Sequence, residues 1–333
     1  MTQDYVFIKY SEMLNVFQSI LEREGLKTEK ASICAGILAD NSLDGVDSHG
    51  VLRFENFADR LKNGEMDGDA EPVKIVGNNA FECWDGKKGL GPVNAVLMAD
   101  RAICLSKEFG IGVVALRNTT HWMRGGTYGQ RIASQGCFGI CWTNTKANMN
   151  AWGTHKEIVG NNPIVFAAPG KDAPVVLDMA LSQYSYGKLV AMDLAGQMLP
   201  FYGGFDKAGN LTKDPGVIVE NHSALPIGYW KGYGLAIMLD IFSSVLSNGV
   251  STVFMPESGH TVSQVFISIH PKTECGIDVS DIIRKLKIEC SNSGEDVHFP
   301  GEQTIERRRK NLETGIPVLS DVWTSIKKRF EKQ

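Results

Sequence analysis

The sequence of 333 residues lacks the features that mark several large protein classes. Its seven cysteines are odd in number, scattered and without a Cys-x-x-Cys pair, so we expect buried free thiols and no structural metal. No apolar stretch approaches the length of a membrane span, and residues 1–10 do not show the regions of a signal peptide. We therefore expect a cytoplasmic protein without a membrane segment.

Positive charge is also sparse. The formal net charge is -4, and the one block of basic residues, at 307–310, lies in a helical pattern with Glu302 and Glu306. This pattern is typical of a solvated helix face and argues against nucleic-acid binding. The 43% of hydrophobic residues and 22% of charged residues indicate a globular chain with a large core, and its length favours two or more lobes.

The residue pattern changes twice along the chain. Helical patterns dominate residues 1–72, short β-rich runs interleaved with helices fill residues 73–270, and residues 271–333 return to helix. We predict an α/β fold with a mixed-sheet core at 73–270, a helical region at 1–72, and a C-terminal helical region at 271–333. The β-rich runs lie at residues 81–84, 112–116, 138–143, 164–168, 175–177 and 264–269, and the longest interleaved helices at 92–107 and 231–246.

The third predicted helix begins with Ser48 as its N-cap and presents His49 and Arg53 one turn apart on one face. This pair suits the reduction of a 2-keto acid, because the developing alkoxide needs a proton and the substrate carboxylate needs a cation. The positive end of the helix dipole should keep His49 largely neutral at rest. The alternative is a solvated pair without function, since such pairs are common on exposed helices.

A nicotinamide cofactor would be the natural source of hydride, but the sequence contains no good Rossmann fingerprint. Residues 110–115 have the glycine spacing, yet a helix precedes them and a strand follows, which is the reverse of the order that aims a helix N-terminus at a pyrophosphate. Residues 89–91 do precede a helix, but Asn94 occupies the third glycine position. We therefore do not expect a Rossmann site.

Several other segments combine glycine with polar or aromatic residues at the ends of predicted strands and helices. Taken singly, each is typical of a structural turn, but together they indicate an assembled site. These segments are residues 121–126, 142–144, 160–163, 178–180, 228–234 and 300–302.

In their order and spacing, these segments and residues 48–53 resemble the malate/L-lactate dehydrogenase-2 family over nearly the whole chain. The resemblance implies an NAD(P)-dependent oxidoreductase that does not use a Rossmann fold. It also implies a homodimer with active sites near the subunit boundary, in which a helical lobe covers a mixed-sheet cofactor lobe. Residues 1–72 would then be the substrate and dimer region, residues 73–270 the NAD-binding core, and residues 271–333 would complete the cofactor and substrate lobes. Residues 121–126, 141–144 and 203–206 are most similar to family members that reduce a diketo sugar acid.

The resemblance also implies roles for individual residues. His49 matches the proton donor and Arg53 the residue that holds the substrate carboxylate, while His121 is the competing acid or base. Lys231 would supply charge near a phosphate, and Asp178 would accept a ribose hydroxyl. The full set of implied cofactor-binding residues is Val176, Leu177, Asp178, Met179, Ala180, Trp230, Lys231, Gly301, Glu302 and Gln303.

Two positions depart from the family pattern. Glu302 stands where close relatives can carry a histidine, and Asn161 stands where a threonine is usual. The remaining histidines match no family site: His155, His222, His260, His270 and His298.

We therefore predict hydride transfer from NADH to the 2-keto carbonyl of a small sugar acid, with NADPH as the alternative, since Arg117 or Lys146 could meet a 2′-phosphate. Other substrates in the family are malate, ureidoglycolate, sulfolactate and cyclic imino acids. A non-catalytic protein that binds sugar acids is the alternative from a different functional class.

Overall fold

A computed structural model describes residues 4–154, 156–256, 261–271, 278–291 and 298–331. Within these ranges it contains eleven α-helices, thirteen strands and two short 3-10 turns, so the predicted α/β class is confirmed. The helices are α1 (Tyr10–Arg23), α2 (Thr28–Leu43), α3 (Val51–Lys62), α4 (Gly91–Phe109), α5 (Gly126–Ala133), α6 (Tyr186–Leu194), α7 (Pro215–Asn221), α8 (Trp230–Ser247), α9 (Val279–Ser291), α10 (Glu302–Thr314) and α11 (Ser320–Glu331). The strands are β1 (Tyr5–Ile8), β2 (Val73–Asn78), β3 (Phe81–Asp85), β4 (Ile111–Thr119), β5 (Phe138–Thr143), β6 (Met149–Asn150), β7 (Glu157–Val159), β8 (Ile164–Ala168), β9 (Val175–Met179), β10 (Gly204–Phe205), β11 (Leu211–Thr212), β12 (Val262–Ile269) and β13 (Ile316–Leu319).

Seven strands form one mixed sheet in the order β2-β3-β4-β12-β5-β8-β9. The pair β3 and β4 is parallel, and the other neighbours are antiparallel. β12 lies in the middle, where Phe266 faces Val114 of β4 on one side and Cys141 of β5 on the other. This is not the parallel, doubly wound order of a Rossmann domain.

The alternation of side chains along the central strands divides the interior into two cores. Val114 and Phe266 point into one core, which α4 and α5 cover, while Ala115 and Val265 point into the other, which α8 covers. All four of these residues are fully buried. Because both faces of the sheet are covered by helices, the polar groups of the site collect at strand and helix ends.

The helical lobe combines the beginning and the end of the described chain. β1 pairs antiparallel with β13, and α11 packs against α1 and α3. Phe17 of α1 stacks on Phe54 of α3 with ring centroids 3.9 Å apart. The Asn311 side chain of α10 donates to the Leu43 carbonyl at the end of α2 over 2.8 Å. Within the described ranges, no helix combines the length and apolar character needed to cross a bilayer.

Candidate active site

His49 lies in a 3-10 turn, Asp47–His49, directly before α3. The prediction that Ser48 caps the helix is wrong, because α3 begins only at Val51, whose N–H donates to the Ser42 hydroxyl of α2 over 2.7 Å. The Ser48 hydroxyl instead lies 3.1 Å from Nδ1 of His49. Gly50 separates the turn from the helix, and a Cβ there would lie 2.2 Å from the Ser42 hydroxyl.

Two helices hold this turn in place. The Asn41 side chain of α2 donates to the His49 carbonyl over 2.8 Å. On the other side, α6 comes so close that a Cβ on Gly187 would lie 2.4 Å from Cβ of Ser48. The backbone of the turn is therefore held between the neighbouring helix α2 and the helix α6, which lies far from it in sequence.

His121 follows β4 and comes to lie beside His49. The two imidazole rings stack with centroids 5.8 Å apart and an interplanar angle of 15°. Nδ1 of His121 accepts a hydrogen bond from the Met123 N–H over 3.0 Å. The structure thus brings together the two histidines that the sequence offered as competing acids.

Both histidines are held in the neutral form at pH 7. Burial, followed by the positive charges of Arg53 and Arg124, lowers the pKa of His49 to about 4. Burial, followed by the charges of His49 and Arg53, lowers the pKa of His121 well below its usual value. The sequence anticipated a neutral His49 from the helix dipole, but burial is the leading cause in the structure.

Arg53 is the cation of this site that has no carboxylate partner within the described ranges. Arg124, in contrast, donates to Asp44 over 2.6 Å, and its Nε lies 3.4 Å from Asp178. Arg53 is half-buried, so its guanidinium is partly desolvated and available to an incoming anion. This is the arrangement that a substrate carboxylate requires.

Arg124 and Asp44 are site residues to which the sequence analysis assigned no role. Asp44 bridges Arg124 and Arg308 of α10. Its carboxylate accepts a hydrogen bond from Arg308 over 2.8 Å. Asp178 of β9 also accepts from the Gly126 N–H over 2.8 Å. This ion-pair network connects β9 to the helical lobe and places a cation near His49. No spacing in the sequence could reveal it, because the partners come from distant elements.

Two of the predicted cofactor segments meet at β9, which lies at one edge of the sheet. Val176, Leu177, Asp178 and Met179 belong to this strand, and Ala180 follows it. Gly301 precedes α10 with φ at +86°, and a Cβ there would lie 3.3 Å from the Val176 carbonyl oxygen. A glycine is required at this close approach because the left-handed backbone disfavours other residues.

The third segment, Trp230 and Lys231, begins α8 near the other end of β9. Ile227, just before the helix, donates to the Leu181 carbonyl over 2.9 Å. The backbone N–H groups of Lys231 and Gly232 already donate to carbonyls of the preceding turn. The exposed Lys231 ammonium is therefore the group at this helix start that fits a phosphate.

The start of α10 has a different character. Glu302 accepts from the Phe299 N–H over 3.1 Å and is ion-paired with Lys287, while Gln303 beside it is exposed. A carboxylate at this position fits a sugar hydroxyl better than a phosphate. The three segments together thus fit the phosphate and ribose parts of a dinucleotide. Among the described residues, no group of three or more histidine, cysteine, aspartate or glutamate side chains could hold a metal ion.

A mixed sheet without Rossmann order, with two neutral histidines and an arginine that has no carboxylate partner among the described residues, fits a dehydrogenase of 2-hydroxy acids. The comparisons agree: the family model described as malate/L-lactate dehydrogenase matches residues 8–327. The chain belongs to this family, and it is an oxidoreductase that acts on CH–OH groups and requires a nicotinamide cofactor.

Individual members of the family are similar to this chain along nearly its whole length. The 2,3-diketo-L-gulonate reductase of Escherichia coli O127:H6 is 39% identical over 330 residues, which cover 96% of this chain and 98% of the relative. The protein of the same name from Citrobacter koseri is 40% identical with the same coverage. Among solved structures, malate dehydrogenase from Entamoeba histolytica superposes with a TM-score of 0.91 at 25% identity, covering 98% of this chain and 97% of that one.

Proposed function

We propose that this protein reduces 2,3-diketo-L-gulonate to 3-keto-L-gulonate, with NADH as the preferred cofactor. The observation that supports this most is the Arg53 guanidinium, which has no carboxylate partner in the described part of the chain and whose charge acts on His49 of the stacked histidine pair. A carboxylate on Arg53 would place the neighbouring 2-keto carbonyl within reach of an imidazole. The substrate itself is suggested by the names of relatives at about 40% identity along nearly the whole chain.

In this mechanism the bound nicotinamide supplies hydride to the 2-keto carbon. His49 donates the proton to the carbonyl oxygen, and Arg53 holds the carboxylate. Because the charge of Arg53 is one cause of the low pKa of His49, a substrate carboxylate on Arg53 would raise that pKa. His49 would therefore gain its proton when the substrate is bound, which couples substrate binding to acid catalysis.

Val176 to Ala180, Lys231 with Trp230, and the residues from Gly301 to Gln303 would hold the cofactor. A preference for NADH over NADPH means that the site offers no available cation to a 2′-phosphate. Arg117, one cation that could bind such a phosphate, already donates to Asp85 over 3.1 Å and to the Asn248 carbonyl over 2.9 Å.

We also propose a cytoplasmic homodimer with the three regions 1–72, 73–270 and 271–333. The outer face of α8 supports the dimer, because it exposes a stripe of apolar side chains at helical spacing. Val245 on this stripe is 72% exposed, and Phe254 just beyond the helix is 80% exposed. The stripe also includes Leu235, Met238 and Phe242. Sedimentation of the purified protein tests this, and a monomer at micromolar concentration would contradict it.

The loss of NADH absorbance on addition of 2,3-diketo-L-gulonate tests the proposed activity. The same assay with NADPH, and with the keto or imino forms of malate, ureidoglycolate, sulfolactate and cyclic imino acids, separates the alternatives. A higher kcat/KM for one of these would move the assignment to another 2-hydroxy acid or to an imino acid. Binding of the sugar acid without binding of either nucleotide would indicate the non-catalytic alternative.

A further inference from the structure

Met123 has an unusual backbone conformation beside His121. Its φ is +68°, in the left-handed region, although it is neither glycine nor asparagine and its side chain is 5% exposed. Such a conformation is unfavourable for an ordinary residue, because its Cβ lies too close to the following carbonyl oxygen. This backbone directs the Met123 N–H onto Nδ1 of His121 over 3.0 Å.

That hydrogen bond determines where the His121 ring carries its proton. A ring nitrogen that accepts a hydrogen bond presents its lone pair, so the neutral ring must carry its proton on Nε2. Protonation of Nδ1 would break the bond to Met123. It would also create a partly buried cation next to His49 and near two arginines of α3, Arg53 and Arg60. The nearby carboxylates Asp44 and Asp178 are already paired with Arg124.

We infer that Met123 is a positioning residue whose left-handed backbone fixes His121 as a neutral Nε2–H hydrogen-bond donor, which leaves His49 as the titrating acid of the pair. In this role His121 donates to the substrate oxygen and stabilises the negative charge that develops there. This deepens the proposed reduction and rests on it for the identity of the acceptor. The tautomer itself can be tested without substrate.

The first experiment measures the tautomer in the unmodified protein by nitrogen-15 NMR of its histidine rings. The His121 signals are assigned by their absence from the His121→Gln spectrum. We expect Nδ1 of His121 to show the shift of an unprotonated nitrogen, with no titration between pH 5 and pH 8. A protonated Nδ1, or titration in that range, overturns the inference even if the enzyme is active.

The second experiment compares two substitutions at position 123. Met123→Gly accepts a φ of +68° without strain and keeps the N–H, so the tautomer should persist. Met123→Val has a β-branched side chain that disfavours the left-handed region, so the N–H should leave Nδ1 and a mixture of tautomers should appear. We expect kcat of the valine variant to fall about tenfold or more below that of the glycine variant. Equal tautomer spectra and equal kcat values in the two variants would contradict the inference.

The third experiment distinguishes two roles of His121: donation of a hydrogen bond to the substrate and transfer of a proton to it. Gln at position 121 can place an N–H near the position of Nε2, whereas Asn is too short to do so. We expect His121→Gln to retain about tenfold more activity than His121→Asn and to keep the alkaline limb of the pH profile of kcat, which reports the proton donor in the substrate complex. Loss of that limb in His121→Gln would make His121 the titrating acid. If 2,3-diketo-L-gulonate is not reduced at all, the proposed substrate fails, while the NMR result still decides the tautomer.

Discussion

The imidazole rings of His49 and His121 stack with their centroids 5.8 Å apart, although the two residues belong to a 3-10 turn of the helical lobe and to the loop after β4. Each ring therefore lies within the electrostatic range of the other. Two neighbouring imidazolium ions would repel each other in a partly buried site, so the pair should hold at most one extra proton. Which of the two rings takes this proton determines which histidine can act as the acid.

Replacement of His49 by alanine should lower kcat by about 10²-fold to 10⁴-fold, because the proton donor is lost. Cofactor affinity, measured by quenching of tryptophan fluorescence, should not change. His222→Ala, which alters an exposed histidine at the end of α7, is the matched control. Near-normal turnover of His49→Ala together with an inactive His121→Ala would move the role of proton donor to His121.

Replacement of Arg53 by alanine should mainly raise KM for the keto acid, since a charge-assisted hydrogen bond contributes about 1.5–3 kcal/mol, or roughly 10-fold to 100-fold in affinity. Arg53→Lys should recover part of this loss because it keeps the charge but not the planar fork. Lys62→Ala removes an exposed cation at the end of the same helix and serves as the control. An unchanged KM in Arg53→Ala would exclude the carboxylate role.

The low pKa of His49 should make stability depend on pH. The folded protein holds this pKa at about 4, below the usual value of 6.5, so the unfolded chain binds more protons between these values. The stabilisation is complete above pH 6.5 and is lost as the pH falls towards 4. The free energies of unfolding of the wild type and of His49→Gln, measured in urea, should therefore differ by a constant amount above pH 6.5, and the wild type should lose stability relative to the variant as the pH falls towards 4. Asp47, whose pKa burial raises to about 6, acts in the opposite direction but is common to both proteins. A difference between the two proteins that stays constant down to pH 4 would contradict the shift.

Replacement of Arg124 by alanine should destabilise the fold by about 3 kcal/mol or more, because Asp178 loses a buried partner and Asp44 retains only Arg308. Arg131→Ala is the control, since its pair with Asp100 is exposed and contributes less than about 1 kcal/mol. Urea denaturation measures both variants. Similar losses of stability would show that the network is no stronger than a surface pair.

Replacement of Lys231 by glutamine should raise the Kd of the nicotinamide cofactor about tenfold, because one cation near a phosphate is removed. Isothermal titration with NADH measures this directly. Lys207→Gln, at an exposed pair with Glu220, is the control for the change in net charge. If both variants bind NADH as the wild type does, Lys231 does not contact the cofactor.

Much of the secondary structure follows from local pattern. The predicted runs at 138–143 and 164–168 have the same bounds as β5 and β8, and the predicted helix at 231–246 lies within Trp230–Ser247. The short strands β1 and β13 were not predicted, because their apolar residues become a strand pair only when the two ends of the chain meet. The helices α6 and α7 were also missed.

The order of residues along the chain was sufficient to predict the α/β class and a sheet without Rossmann order. These depend on spacing within single elements or on the alternation of helices and strands. The stack of His49 on His121 and the bridge from Arg124 through Asp44 to Arg308 depend on the tertiary structure. Their members belong to different elements, and burial and mutual charge act only after folding has brought those elements together. The sequence could therefore name the two candidate acids, His49 and His121, whereas burial in the folded protein lowers their pKa values.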